Sequence, residues 1–598
     1  MTTNLTRRTA LTTLSLATFT TLSACAALPT SGPVTESQPG LSAPDPLLQT
    51  ADGPADGASP EELVSAFLLA CVAGFSDDFS TARQFLAGPA LHSWTPESAV
   101  YVYVASSTVD VTQDTDGSVS VSAPAVGTVD HSGLLTLAEE PSDHEARFTL
   151  ATNPSGQWRI IALPDGVFLS SSTFTSTFVT QRLNFLTPTR TRLVPDIRWF
   201  PRRKLATRLV NALLAGPSPW LAPGVVTAIP SGTTLGVGGI EVNEGTARVE
   251  LSADLLQSSD ADRLLAGAQI RSTLLQLPTV RDVDIVADQT QFPSDADSLA
   301  DDGSVSQVNT YVGITPAGIV QRTQPSAFSL AISADSLSGL NPRWPLPIPR
   351  GDQSATQFVL STNQGLMAID SVTNQRTVIS QQLTPIPAIA DGYGWIWSAN
   401  DTALHAYSLQ GTVNAIESDW LEQGTILAMD LSAESTRMVI LRHLPQTEKQ
   451  SADGSQASDE ASENEASNTA SDEHGHEVID VAVVIRDDSG MPTGLGPAVR
   501  IARGDFSAVT WSDDVNIAAL TGDPHDTQLR VRLATVGGLS NTIDAPDDAV
   551  HIASNRLDGV LVAQDAKGDL QVRSGATWRL TVDDVTDVRY PLAVMKTN

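Results

Sequence analysis

Two cysteines in 598 residues are too few for a disulfide framework, so the chain must be held by its cores. Positive charge is also scarce. Lys and Arg number 35 against 68 Asp and Glu, a net charge of −33. Such a field repels nucleic-acid phosphates and anionic lipid surfaces, which excludes a nucleic-acid partner. After residue 25 there is no long apolar run. The signatures G-x-S-x-G, H-E-x-x-H, the P-loop, the EF-hand loop and C-x-x-C are all missing. What remains is a globular composition, 41% hydrophobic. At roughly 150 residues per domain it holds about three or four domains.

The amino terminus is the most specific segment. Arg7 and Arg8 precede a short apolar stretch that ends in Leu22-Ser23-Ala24-Cys25. A positive head, an apolar run and small residues at the cut make a secretory signal. The run is too short and too rich in Thr to span a membrane, which takes about 20 apolar residues. Leu-Ser-Ala-Cys resembles the lipobox of bacterial lipoproteins. The resemblance implies cleavage between Ala24 and Cys25, with diacylglycerol and an N-acyl chain on Cys25. The protein would then lie on the extracytoplasmic face of the cell membrane, with residues 1–24 as signal peptide. Thr6-Arg7-Arg8 has a faint twin-arginine look, but Ala10 stands where phenylalanine is usual, and the export route stays open. Residues 25–58 are rich in Pro, Ser, Gly and Asp without periodicity. They read as a flexible tether with a span of about 30 Å.

Residues 59–170 read as an α+β domain. Ser59-Pro60-Glu61-Glu62 starts a helix, with a Ser cap, Pro at the first position and acids in the first turn. Leu63, Phe67, Leu68 and Val72 follow at helical spacing. Cys71 lies in the same apolar segment and reads as an inert, buried thiol. A second helix is expected over 78–86, stopped by Gly88-Pro89. Strands are expected over 99–111, 119–129, 134–138, 146–151 and 158–163. Two helices before a curved antiparallel sheet resemble the NTF2-like cone. Such a cone could hold a ligand, and Trp94, Tyr101, Tyr103 and Trp158 are the candidate lining, with plain core packing as the alternative.

Residues 171–203 read as a basic bridge. From Phe168 to Lys204 the chain carries Arg182, Arg190, Arg192, Arg198, Arg202, Arg203 and Lys204 against one acid, Asp196. Either these cations pair with acidic faces of the flanking domains, or Arg198, Arg202, Arg203 and Lys204 form a patch that docks an acidic partner. Residues 204–292 read as a compact α+β module. A helix from Leu205 ends at Gly216-Pro217. Strands are expected over 225–229, 233–237, 240–242, 246–251 and 280–286, and a helix over 260–276. Leu213-Leu214-Ala215-Gly216-Pro217, Ile229-Pro230-Ser231-Gly232-Thr233 and Val249-Glu250-Leu251-Ser252 resemble the GerMN module, which implies a binding role.

Residues 305–598 read as all-β. Three stretches echo one another, beginning at Asp430, Val509 and His551. Each is an apolar strand, a Ser-led turn and a second apolar strand. Their intervals, roughly 80 and 40 residues, are near multiples of a propeller blade. Gly392-Tyr393-Gly394-Trp395-Ile396-Trp397 fits another blade. A β-propeller of six or seven blades is expected, with a pair of β-sandwiches as the alternative. Residues 448–477 are Ser, Ala, Asp, Glu and Asn without an aromatic, and read as a disordered acidic insertion. His474 and His476 lie among acids there. The segment's disorder argues against a preformed metal site, and no metal or cofactor is expected.

Lipobox, tether, α+β domain, GerMN module and propeller in this order resemble the actinobacterial LpqB lipoprotein family. Arg198-Trp199-Phe200-Pro201-Arg202 followed by Leu205-Ala206-Thr207 resembles that family's approach to its GerMN module. The resemblance implies a lipid-anchored accessory protein. Its partner would be the extracytoplasmic domain of a sensor histidine kinase of the MtrA–MtrB type, in envelope homeostasis and division. It implies no enzyme. Two other readings remain: envelope ligand sensing or polymer binding, and a wall-acting hydrolase. For the hydrolase the paired carboxylates Asp513-Asp514 are the available candidates. Oligomeric state is left open.

Overall fold

The computed structural model describes residues 51–138, 142–292, 311–324, 327–349, 356–445, 477–523, 526–557, 559–582 and 584–590. The signal peptide, Cys25, most of the tether, and the acidic insertion with His474 and His476 lie outside the described residues.

Helix α1 (Pro60–Asp77) opens the first module. The Ser59 Oγ accepts from the Glu62 N–H at 3.2 Å, and the Glu62 carboxylate accepts from the Ser59 N–H at 2.8 Å. This reciprocal capping box, with Pro60 behind it, fixes where the helix starts. Leu63, Val64, Phe67, Cys71 and Phe75 turn one face of α1 into the module's core. They pack with a seven-stranded sheet ordered Trp158–Ala162, Asp143–Thr152, Val119–Asp130, Ala99–Tyr103, Val167–Ser170. Asp110–Gln113 and Leu135–Leu137 also pair with the long third strand.

Several expectations for this module change. The sheet is mixed, because Ala99–Tyr103 runs parallel to Val167–Ser170. The expected strand over 99–111 is two strands, and the helix over 78–86 is a single turn, Ser80–Arg83. Asp78 and Phe79 both adopt left-handed backbone, which ends α1 and swings the Phe79 ring back over Gly74. The last part of the expected tether is not free either. Ala51 packs on the core, and the Gln157 amide donates to Asp56.

The expected basic bridge is folded. After a short helix (Ser171–Thr177), β1 (Phe178–Leu186) and β2 (Leu193–Pro201) form a hairpin paired along its whole length. Its inward residues Leu183, Phe185, Leu186 and Val194 share one core with α2 (Leu205–Ala215) and α3 (Asp260–Leu274), so the hairpin belongs to the second module. That module's sheet is Glu241–Asn243, Thr246–Leu251, Asp282–Ala287, Thr290–Phe292. The two central strands are parallel, with α3 as their crossover. The strands expected over 225–229 and 233–237 do not form. Only the isolated pairs Leu186 with Val226 and Leu235 with Leu251 are made there. The buried Gln269 amide takes the place of a ladder: its Oε1 accepts from the Ala228 N–H at 2.8 Å and its Nε2 donates to the Asn184 carbonyl at 2.9 Å.

Six small antiparallel sheets make up the rest, five of four strands and one of five. Their innermost strands are β3 (Arg343–Pro349), β4 (Ile389–Ala390), β5 (Thr425–Leu431), β6 (Phe506–Trp511), β7 (Ala549–Ser554) and β8 (Thr586–Arg589). Each innermost strand contacts the next, and β8 contacts both β7 and β3, so the sheets close a ring. Closure uses both ends of this region: β8 pairs with Val312–Thr315, the third strand of the first sheet. Middle strands are buried on both faces, as in Gly365–Asp370, which explains their unbroken apolar runs. The three echoes fall at one place, the turn leaving β5, β6 and β7. Their 80-residue interval is not two blades, because the sheets of β5 and β6 are consecutive and the insertion lies between two strands of the former.

Candidate functional site

The four basic candidates do not form an open patch. Arg198 is 2% exposed, and its Nη2 donates to Asp196 and to the Gly216 carbonyl, both at 2.7 Å. Arg202 donates to the Ser176 carbonyl, and Arg203 to Asp78 and the Ser76 carbonyl. Lys204 is exposed and starts α2 in left-handed conformation. Of the remaining arginines of the segment, Arg190 pairs with Asp262 within the second module, while Arg182 meets Asp514 at 2.5 Å and Arg192 donates to the Ala433 carbonyl at 3.1 Å, joining that module to the ring. Arg198 is thus an internal fastening rather than part of a docking patch, while Arg203 and Lys204 stay exposed. The Asp513-Asp514 pair is structural too. Asp513 accepts from the Val515 and Asn516 N–H groups, and Asp514 holds Arg182.

None of the four aromatics lines either of the two cavities described below. Trp94 is buried, its indole N–H donating to the Gly166 carbonyl at 3.3 Å, among the rings of Phe67 and Phe79. Tyr101 packs on Phe168 and His144, while Tyr103 and Trp158 are half-buried members of the same core. A cavity beside α1, lined by Phe67, Cys71 and Phe148, includes none of the four and measures about 10 Å³. That admits at most about one water. Burial pushes the Cys71 thiol well above its ordinary pKa, so little thiolate forms there.

A cavity of about 600 Å³ lies elsewhere, along the inside of the ring. Its wall comes from all six innermost strands or the residues leading into them, so only closure of the ring creates it. Arg343 and Trp344 come from β3, His551 from β7, Asp587 and Arg589 from β8, and Gln564 from the strand behind β7. The Arg343 guanidinium stacks over the Trp344 ring at 4.5 Å and pairs with Asp587 at 3.1 Å. Trp344 (φ 49°) and Asp587 (φ 54°) both hold left-handed backbone, a strained choice for residues with side chains. Burial and the neighbouring Arg589 push His551 down to about 4, leaving a neutral imidazole.

Beside this cavity lies a buried charge cluster. The Asp430 carboxylate accepts from Arg556 Nη2 at 2.8 Å, Thr510 Oγ1 at 2.8 Å and the Trp511 N–H at 3.0 Å. Burial opposes the charge on Asp430, yet Arg556 holds its carboxyl below the usual carboxylate range. Arg589 reaches across the ring from β8 to the Ala388 carbonyl at 3.0 Å. Asp430, Thr510, Trp511, His551 and Arg556 lie in the echoing stretches, but the sequence marked none of these residues as a site. They are single positions in short strands spread over some 250 residues, and nothing local joins them. The one signal was an arginine in an otherwise apolar strand end, Val588-Arg589-Tyr590.

Residues 53–175 match the family described as Lipoprotein LpqB, N-terminal domain, and residues 178–291 match the family described as Sporulation and spore germination. The second match begins at the β1–β2 hairpin, in line with its shared core. Lipoprotein LpqB of Bifidobacterium longum is 28% identical over 444 residues, which are 70% of this chain and 74% of that one. The chain is thus similar to the LpqB lipoproteins along most of its length, and its first module matches their N-terminal domain. The LpqB of Cutibacterium acnes is 33% identical over 257 residues, 42% of each chain. That of Thermobifida fusca is 29% identical over 318 residues, 50% of this chain and 49% of the relative. These two alignments span less than half of each relative. Among solved structures, the tandem GerMN domains of the sporulation protein GerM from Bacillus subtilis are 14% identical, with a TM-score of 0.17 over 32% of this chain and 59% of that one. A nidogen/laminin complex covers 47% of this chain and 93% of its own, at 7% identity and a TM-score of 0.29. At such scores neither likeness carries an argument. No helix among the described residues is long and apolar enough to cross a membrane.

Proposed function

We propose that this protein is a lipid-anchored, extracytoplasmic accessory factor that binds and modulates a two-component sensor histidine kinase of the MtrA–MtrB type in envelope homeostasis. The observation that carries the reading is similarity to the LpqB lipoproteins in a chain whose Leu22-Ser23-Ala24-Cys25 has the lipobox pattern. The lipid on Cys25 would hold protein and kinase in one two-dimensional space, which raises effective concentration without strong pairwise affinity. On this reading the first module is an NTF2-like cone, the second a GerMN module and the ring a six-bladed propeller. The protein performs no chemistry of its own. The three modules would act as one body, because β1–β2 fastens each to the others.

The test is binding between the soluble fragment from Ala26 onward and the kinase's extracytoplasmic domain, first in solution and then with both held on a supported bilayer. Micromolar or tighter association, mapped by deletion of single modules, is expected. No association in either format would overturn the reading. The ring cavity favours a second reading, small-ligand binding.

A further inference from the structure

We propose that the cavity inside the ring binds a small organic carboxylate, anchored by the guanidinium of Arg589. The argument starts from buried charge. Four charged groups meet beside the cavity: Asp430, Asp587, Arg556 and Arg589. Asp430 is committed to Arg556, whose Nε and Nη2 both donate to it, and its oxygens are filled further by Thr510 and the Trp511 N–H. Arg589 is 8% exposed and makes one hydrogen bond, to the Ala388 carbonyl, with no ion pair among the described residues. His551 is neutral and compensates nothing. Asp587 is taken by Arg343, whose guanidinium donates to both of its oxygens, so Arg589 is left without a carboxylate in contact, in a buried place that opens on the cavity. Burying an unpaired charge costs several kcal/mol. Arginine does not escape by losing its proton: desolvation lowers it only to about 10. An anion in the cavity is the missing counter-charge.

The rest of the wall selects the kind of anion. Asp565 and Asp587 line the same cavity, and the whole chain carries −33. A phosphate dianion or a polyanion would meet like charge at close range, whereas a monoanion replaces only the charge that is missing. The planar guanidinium fork fits a carboxylate with two parallel N–H donors. About 600 Å³ suits a body of metabolite or short-peptide size. Trp344, Pro342, Pro385 and Ile386 give that body an apolar wall, and Leu427 and Val550 leave apolar surface exposed toward it. The ligand class is thus a carboxylate on a small, partly apolar body, such as an N-acyl amino acid or the end of a short peptide. This inference stands apart from the kinase reading and uses none of its residues.

The test titrates the soluble protein with acetate, N-acetyl-leucine and N-acetyl-alanyl-alanine, each beside its uncharged amide. Titration calorimetry and tryptophan fluorescence provide the readouts. Saturable binding of at least one carboxylate is expected, with its amide at least tenfold weaker. Arg589→Met should abolish that preference, and Arg589→Lys should keep part of it. Melting curves show whether either variant is folded, and the comparison of acid with amide on the unaltered protein decides the matter if neither is. Equal binding of acid and amide, an undiminished preference in Arg589→Met, or no binding by any carboxylate of the set would each overturn the proposal.

Discussion

Asp196 is fully buried and holds four donors: Arg198 Nε and Nη2, the Ser218 N–H and the Ser218 hydroxyl. Truncating it leaves the Arg198 guanidinium charged and buried. Removing one partner of a buried pair typically costs about 3–5 kcal/mol. Asp196→Ala should lower the urea midpoint by that amount, and Asp196→Leu with Arg198→Met should recover most of it. A double variant no better than the single would show that the Ser218 bonds, not the charge, set the cost. His551 gives a second residue-scale prediction, in pH. Its folded pKa is about 4, against about 6.5 in an unfolded chain. Between those values the unfolded chain binds a proton that the folded one refuses. Stability is therefore full above about pH 6.5 and falls as pH drops toward 4, by up to about 3 kcal/mol. Urea unfolding from pH 4.5 to 7.5 should show this slope, and His551→Gln should flatten it.

At the scale of elements, the ring depends on β8 pairing with Val312–Thr315. Gly313 permits that approach: a Cβ there would lie 2.3 Å from Val585 Cγ1 and 3.1 Å from the Thr586 carbonyl. Gly313→Val should push the closing strand away, destabilise by about 1–3 kcal/mol or more, and speed amide exchange in 585–590. Exchange there unchanged from the parent would place closure elsewhere. Elements whose signal is local were legible in the sequence. The capping box at Ser59, the helix ended by Gly216-Pro217, α3 and the strand–turn–strand echoes all carry their determinants within a few residues. The β1–β2 hairpin was not legible, because its arginines gave it the look of a linker while every other residue faced a core supplied from elsewhere. Strands over 225–229 and 233–237 failed for the converse reason: apolar residues sit there, but the Ala228 N–H goes to the buried Gln269 amide and the Thr234 N–H to the Ser252 hydroxyl, groups distant in sequence. The ring cavity was illegible on the same ground, being made by closure rather than by any segment.

At the scale of the molecule, residues 48–598 form one compact unit, and the second module joins its parts. Trp199, near the end of β2, donates its indole N–H to the Gly537 carbonyl at 2.8 Å, while its backbone N–H donates to the Gly133 carbonyl at 2.7 Å. One residue thus ties the first module, the hairpin and the ring. On the other side, Gly224 lies so close to the ring that a Cβ would stand 2.8 Å from Val483 Cβ and 3.3 Å from the Val484 carbonyl. The Arg182–Asp514 pair at the rim is half exposed on both sides, so it contributes little, about 0–1 kcal/mol. Coupling between the modules therefore rests on these close apolar approaches. Gly224→Leu should wedge the second module from the ring by pressing on Val483, where the two share their core. In scanning calorimetry the parent protein should melt in one transition, and the wedge variant in two, the ring's own transition keeping its enthalpy. A rigid body carries a contact made on the ring to the anchored end of the chain, whereas a hinged one does not. The wedge variant should accordingly keep its affinity for the kinase domain, if a single module binds it, and lose its effect on kinase activity in a reconstituted bilayer. A single, unshifted transition in Gly224→Leu would mean that the Trp199 fastening alone couples the modules.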